Sequence, residues 1–184
     1  MYELIILSLL MQGNAHGYLI LKIMSDISGP YTKFSNGRLY PLLSRLEEDG
    51  LITTRDETVD EQEGGRHVRT YQITEEGRQR FHELMLNTIS NPSEYQKLFL
   101  HKVQGMIALS PSERLYLLDH YINFCQSHIL HLTKKLEFVA REEDSMLPSR
   151  IDVMLSVMQH TVDQWRLELE WANELREKEI AQGD

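Results

Sequence analysis

Two short segments of the chain concentrate side chains that bind anions. The first runs from Lys33 to Arg45, and the second runs from Arg66 through His67 to Arg69. Guanidinium and ammonium groups neutralise phosphate charge, while hydroxyl and amide groups form hydrogen bonds with phosphates and with base edges. The two segments therefore predict a surface that binds nucleic acid.

Apolar spacing places the first segment on a helix. Leucines recur from Leu39 to Leu46 at steps of three, one and three, which predicts one buried helical face. Ser35 and Asn36 stand at the start of this helix, where unpaired N–H groups and the helix dipole attract an anion. The side of this helix opposite the leucines carries Gly37, Pro41, Ser44 and Arg45, with Arg38 and Tyr40 at its margins.

Two further helices precede this segment. Residues 2–11 and residues 17–25 carry leucine and isoleucine at helical spacing, and Gly13 and Gly29 break the chain after them. In a helix-turn-helix, the second helix of the motif lies in the major groove, where its amino-terminal residues contact bases or phosphate. The helix at 36–49 occupies the place of that second helix.

The period of the apolar residues then changes from helix to strand. Residues 51–54 and 68–73 are rich in β-branched and aromatic side chains and flank a polar loop, which predicts a two-stranded hairpin. Thr74 followed by two glutamates predicts the N-cap of a fourth helix. Three helices, a hairpin and a returning helix predict a winged helix-turn-helix domain over residues 1–88.

The remaining residues, 89–184, predict helices packed side by side. Asn91–Glu94 and Ser110–Glu113 each combine a cap residue, a proline and a glutamate, which is a pattern that begins a helix. Two heptad seams follow and predict a coiled-coil-like domain that pairs two copies of the chain. The seams comprise Leu115, Leu118, Ile122, Cys125, Ile129, Leu132, Leu136 and Val139, then Ile151, Leu155, Met158, Val162, Trp165, Leu169 and Ala172.

Aromatic and sulfur side chains near the seams are candidates for a small-molecule effector site, in a pocket between the winged domain and the helices. They are Tyr121, Phe124, Met158 and Trp165. Such side chains also fill helical cores and dimer interfaces, so the packing role and the ligand role both stay open.

Composition and charge narrow the class of protein. A formal net charge of −9 argues against a general nucleic-acid coat, because non-specific affinity comes from cations that neutralise phosphates. The apolar run from Leu4 to Met11 is too short to cross a bilayer. The single cysteine, Cys125, forms no internal disulfide. We therefore expect a cytoplasmic protein without membrane association and without a cofactor.

Histidines raise one alternative function, because His120, His128 and His131 fall within one predicted helix. Histidines that flank a seam are more often surface or interface groups than ligands, so a metal-responsive regulator stays an alternative and we predict no metal site. No ordered set of nucleophile, base and orienting group is present, which argues against an enzyme. A winged helix used as a protein-interaction adaptor is a further alternative, because the chain is acidic overall.

Several blocks of sequence follow one another in an order that is specific, although the single pieces are not. They are His16–Tyr18, Gly37–Glu47, Gly50–Ile52, Gly65–Arg66, Arg69, Tyr71, Ile73–Thr74 and Gly77. In this order they resemble the PadR family of bacterial transcription regulators, over about residues 1–85. The helical remainder is similar to the longer carboxy-terminal domain of the phenolic-acid-responsive branch in length and pattern.

The resemblance implies a mainly α protein with a small β wing that acts as a homodimeric repressor. It implies dimerisation through the carboxy-terminal helices, binding to an operator in double-stranded DNA, and release by a small, often aromatic, compound. With the spacing of helix-turn-helix dimers, the operator is expected to be an inverted repeat. Thr70 departs from the family, whose wings commonly carry a basic residue there. The DNA-facing positions that the family implies are Tyr18, Ser35, Asn36, Arg38, Tyr40, Arg66 and Arg69.

Overall fold

The structure is a computed structural model that describes residues 1–31, 34–59, 66–89, 92–141 and 148–183. For residues 56–59, 66–68, 148–150 and 183 it describes the backbone alone. The chain forms two compact units, unit 1 over Met1–Leu109 and unit 2 over Ser110–Asp184. The functional division that the sequence predicts after residue 88 stays a prediction.

Unit 1 is built from helices around a small sheet. Its helices and strands, in chain order, are α1 Tyr2–Gln12, β1 Ala15–His16, α2 Gly17–Ser28, α3 Asn36–Glu48, β2 Ile52–Val59, β3 Arg66–Ile73, α4 Glu75–Leu86 and α5 Tyr95–Gly105. Short 3-10 turns precede and follow α5, at Pro92–Glu94 and Met106–Ala108.

The sheet is antiparallel and has three strands in the order β1–β3–β2. The pair β2–β3 is the predicted hairpin, but the prediction of two strands was incomplete because β1 pairs with the other edge of β3. Ala15 lies opposite Tyr71 and His16 lies opposite Thr70, whose hydroxyl is 2.8 Å from Nδ1 of His16. A strand of two residues is too short to show strand periodicity in the sequence.

Buried side chains from α1, α2, α3 and α4 meet at the centre of unit 1. Their burial follows the helical spacing of the apolar residues, which places one stripe of each helix towards the others. Each of these side chains is at most 2% exposed: Leu4, Ile6, Leu7, Ile20, Met24, Leu39, Leu43, Phe81 and Met85.

The start of α4 is fixed by a side-chain cap. The hydroxyl of Thr74 accepts a hydrogen bond from the N–H of Gly77 at 3.0 Å and donates one to the carbonyl of Gly50 at 2.7 Å. The predicted N-cap is therefore confirmed, and it also ties the end of β3 to the turn that follows α3.

Unit 2 is a hairpin of two long helices, α6 Pro111–Arg141 and α7 Pro148–Gly183. The predicted cap at the start of α6 is confirmed, because the Glu113 carboxylate accepts from the N–H of Ser110 at 2.9 Å. Every predicted seam position is buried or half-buried, and Leu118, Cys125 and Val162 are among the buried ones. The predicted mainly α fold with a small β wing is confirmed.

Polar pairs fix how α6 and α7 run past each other. Arg114 pairs with Glu179 at 3.1 Å, and Arg176 pairs with Asp119 at 2.5 Å. Arg114 precedes Asp119 on α6, whereas its partner Glu179 follows Arg176 on α7, so the two helices are antiparallel. These pairs set the register of the hairpin in addition to its apolar seams.

Candidate nucleic-acid interface

Helix α3 buries its leucines and exposes its polar positions. Leu39, Leu43 and Leu46 are buried against the rest of unit 1. One face of the helix is therefore anchored in the core while the opposite face is open to a partner. The exposed positions at and after its start are Ser35, Asn36, Gly37, Arg38, Tyr40, Pro41, Ser44 and Arg45.

The amino end of α3 has the form of an anion-binding helix terminus. The carbonyl of Ser35 accepts hydrogen bonds from the N–H groups of Arg38 and Leu39, at 3.0 and 3.1 Å. The hydroxyl of Ser35 makes no capping hydrogen bond to the helix. That hydroxyl therefore does not compete with an anion for the N–H groups at this end, where the helix dipole also favours negative charge.

Arg38 lies against two aromatic rings that also contact each other. Its guanidinium carbon is 5.5 Å from the ring centroid of Tyr2 and 5.1 Å from that of Phe34. Its Nη2 donates a hydrogen bond to the hydroxyl of Tyr2 at 3.2 Å. The side chain nevertheless remains exposed.

Tyr40 reaches from α3 towards the start of α2. A Cβ atom placed on Gly17 would lie 3.5 Å from the hydroxyl oxygen of Tyr40 and 3.6 Å from the ring of Tyr71. The two tyrosines therefore meet over the first turn of α2, next to Tyr18, whose side chain is 78% exposed. Burial raises the pKa of Tyr71, and a hydrogen bond from Arg69 partly opposes that rise.

The wing is fastened to α3 through its first strand. The hydroxyl of Thr54 on β2 donates a hydrogen bond to the carboxylate of Glu47 on α3 at 2.6 Å. Arg69 on β3 is exposed and lies beside Tyr71. The structure thus brings Tyr40 and Arg69, from the two predicted segments, to the same tyrosine.

Three predicted site residues have side chains that lie outside the described part of the chain. Arg66 and His67 belong to β3, where their backbones pair with Val59 and Thr58. Lys33 lies outside the described residues altogether. The roles predicted for these three residues stay predictions.

Three of the four effector candidates, Tyr121, Phe124 and Trp165, form an aromatic cluster together with His128. Trp165 stacks on His128 with the ring centroids 4.2 Å apart and the planes at 9°. Phe124 meets the edge of Trp165 at 5.6 Å and lies 6.1 Å from Tyr121, whose buried hydroxyl donates to Glu168 at 2.7 Å. Burial lowers the pKa of His128 and raises that of Tyr121.

The fourth effector candidate, Met158, is half-buried on α7. Cys125 lies one turn from Tyr121 on α6, and burial raises the pKa of its thiol to about 12. A thiol with so high a pKa is almost wholly protonated at neutral pH, so Cys125 is not an activated nucleophile.

Metal ligands do not gather in the part of the chain that the structure describes. Among the side chains that the structure describes, no three from His, Cys, Asp or Glu lie close enough to hold a metal ion. Within residues 1–31, 34–59, 66–89, 92–141 and 148–183, no helix is both long and apolar enough to span a membrane.

Sequence reasoning missed the groups that hold the candidate site residues. Tyr2 and Phe34 lie against Arg38, and Tyr71 lies against Tyr40 and Arg69. The only sequence signal for Tyr71 was its place in the family blocks. Tyr2 is 36 residues from Arg38, so no periodicity connects them.

Unit 1 is a winged helix-turn-helix domain, since α2 and α3 form the helix-turn-helix and β2–β3 form the wing. Residues 6–83 match the model of the Transcriptional regulator PadR-like family, and this part of the chain is a domain of that family.

Two curated relatives are transcriptional regulators by name. The chain is 38% identical over 78 residues to the transcriptional regulator YqjI of Escherichia coli, which covers 42% of this chain and 34% of that protein. It is 28% identical over 108 residues to the negative transcriptional regulator PadR of Bacillus subtilis, covering 59% and 58%. The matches thus span about a third and just over half of these relatives. Both names agree with the prediction that the chain is not an enzyme.

One similar solved structure is that of Bacillus subtilis PadR in complex with operator DNA. It is 20% identical in sequence, covers 96% of each chain, and has a TM-score of 0.43.

Proposed function

We propose that the chain is a sequence-specific DNA-binding transcription regulator that places α3 in the major groove. The observation that carries this proposal is the exposed face of α3, which lies opposite buried leucines and begins at an end without a side-chain cap. Side chains on a rigid helix keep the geometry that base reading requires. Arg69 and the exposed tyrosines Tyr18 and Tyr40 supply contacts to phosphate.

The proposed active form is a dimer that binds an inverted repeat. Val153, Val157 and Leu167 lie on one face of α7 and are each more than 60% exposed, with the polar His160 and Gln164 between them on that face. A second copy of the chain would bury these three apolar side chains and present two copies of α3 to successive turns of a duplex. Repression is the proposed outcome, in keeping with the name of the B. subtilis relative.

The test of the proposed function starts from the purified chain. Light scattering measures its mass, and a random pool of DNA duplexes is used to select the sequences that it binds. We expect a dimer, an enriched inverted repeat, and an affinity that falls steeply with salt because each phosphate contact releases counterions. An apolar adaptor interface would keep its affinity for its protein partner at high salt. Failure to enrich any sequence contradicts the proposal.

Replacing Arg38 with alanine should weaken binding to the selected duplex about tenfold, because a cation at a base edge contributes about 1–3 kcal/mol of discrimination. Fluorescence anisotropy with a labelled duplex measures the loss. Arg166→Ala is the matched control, since Arg166 is an exposed arginine of α7 in unit 2. If the two variants bind DNA equally well, α3 does not read the duplex through Arg38.

The proposed effector site is the aromatic cluster of Tyr121, Phe124 and Trp165. A small phenolic acid that entered this cluster would disturb the stacking of Trp165 on His128 and so change tryptophan fluorescence. We expect titration with phenolic acids to change that fluorescence and to lower the affinity for the selected duplex. Trp165→Phe should abolish the optical change at this site. A fluorescence change of undiminished size in this variant, whose remaining tryptophan is Trp171, contradicts a site at Trp165.

A further inference from the structure

We propose that Tyr2 and Phe34 are positioning residues that hold the guanidinium of Arg38 ready for DNA and thereby give Arg38 its sequence selectivity. This inference rests on the proposed function and assigns a role in it to the first turn of α1.

The rings of Tyr2 and Phe34 form a rigid surface against which the Arg38 guanidinium packs, and we call this pair of rings the seat. Phe34 is only 4% exposed and Tyr2 is half-buried, and their ring centroids are 5.1 Å apart at an interplanar angle of 58°. Both rings lie within cation–π range of the Arg38 guanidinium, at 5.5 and 5.1 Å. The hydrogen bond from Nη2 to the Tyr2 hydroxyl adds a directional contact.

The seat leaves the positive charge of Arg38 available. Aromatic faces and a hydroxyl do not neutralise a guanidinium, whereas Arg45 on the same helix has its Nε 3.7 Å from the carboxylate of Asp49. The bond to Tyr2 uses one of the five N–H donors of Arg38, so donors remain for a guanine or a phosphate.

Positioning matters because a free arginine side chain loses conformational entropy when it is fixed on DNA. A side chain already held by two rings loses less conformational entropy on binding, so it reaches its bound geometry at a lower cost in free energy. A base edge demands that geometry, while a phosphate accepts a cation from many directions. The seat should therefore favour selected sequences over random DNA.

The experiment compares variants on two probes, the duplex selected by the wild-type chain and poly(dI-dC). Tyr2→Phe removes only the hydroxyl, and Phe34→Leu keeps an apolar side chain without the ring face. We expect each to weaken binding to the selected duplex about fivefold, in keeping with one lost hydrogen bond or cation–π contact. Binding to poly(dI-dC) should change less than twofold.

A double-mutant cycle shows whether the effect passes through Arg38. In an Arg38→Ala background, Tyr2→Phe should cause no further loss, because the group that Tyr2 positions is gone. An equal loss in both backgrounds overturns the inference, and so does unchanged or tighter binding by the single variant. Tyr116→Phe, at an exposed tyrosine of α6, is the matched control.

Two outcomes separate the inference from the proposed function. If the wild-type chain selects no duplex, the proposed function fails and the inference fails with it. If Arg38→Ala weakens selected binding while Tyr2→Phe does not, the proposed function stands and the inference fails. Should Phe34→Leu not fold, Tyr2→Phe decides the question, since it deletes a single part-exposed oxygen.

Discussion

Replacement of Gly77 by alanine should strongly destabilise unit 1. A Cβ atom at this position would overlap the backbone carbonyl oxygen of Leu51 and lie 2.8 Å from Cγ1 of Ile73. That carbonyl cannot move away freely, because it accepts the N–H of Thr74 at 3.1 Å. The N–H of Gly77 is itself held by the Thr74 hydroxyl. Relief of the overlap therefore requires breaking the cap of α4, and we expect a loss of about 4 kcal/mol or more.

Urea unfolding followed by circular dichroism measures this loss. Gly37→Ala is the matched control, since among the described residues a Cβ there would meet only the Ser35 hydroxyl, at 3.8 Å. Alanine is the better helix former, so Gly37→Ala should leave the free energy of unfolding unchanged or raise it by up to about 1 kcal/mol. A Gly77→Ala variant as stable as the wild type contradicts the close packing of α4 against Leu51.

Much of the fold could be predicted because its signals are local. The leucines from Leu39 to Leu46 share a face through helical geometry alone, and the structure buries that face. Thr74 and Ser110 stand three residues before their capping partners, so the signal for each helix start lies within four consecutive residues. The seams of α6 and α7 repeat over many turns, which makes their period unambiguous.

The remaining features join distant parts of the chain, and no period or spacing encodes such contacts. Strand β1 exists only because β3 offers it an edge. The seat of Arg38 combines Tyr2 with Phe34, and the tyrosine pair over Gly17 combines Tyr40 with Tyr71. Sequence patterns could therefore indicate which face of α3 is outward, but not which groups fix its side chains.

Lys102 is another feature that sequence patterns did not indicate. We expect its side chain to make the free energy of unfolding increase with pH. Its side chain is fully buried on α5, and its Nζ donates to the carbonyls of Met85 and Asn87 at 2.8 and 2.6 Å, at the carboxyl end of α4. The ring of Tyr95 lies 5.8 Å away. Burial disfavours the charged form and lowers the pKa of Lys102 to about 8.

The sign of the effect follows from the two pKa values. Between pH 8 and 10.5 the unfolded chain keeps the proton that the folded chain has released, so raising the pH favours the folded state. From pH 7 to pH 9.5 this contribution amounts to about 2 kcal/mol. Cys125 and Tyr121 act in the opposite direction at high pH, because burial raises the pKa of each and the unfolded chain loses those protons first. The wild type must therefore be compared with a Lys102 variant at each pH.

Lys102→Met isolates the contribution, because it fills the same space without a titrating group. The stability of the wild type relative to this variant should increase by about 2 kcal/mol between pH 7 and pH 9.5, measured by urea unfolding at both values. At every pH the variant also leaves the carbonyls of Met85 and Asn87 without the lysine donor, which weakens the attachment of α5 to α4. Lys97→Met, at an exposed lysine of the same helix, is the matched control. A difference between wild type and Lys102→Met that stays constant across this range would mean that Lys102 remains protonated in the folded chain, held by the carbonyls at the end of α4 more strongly than burial opposes it.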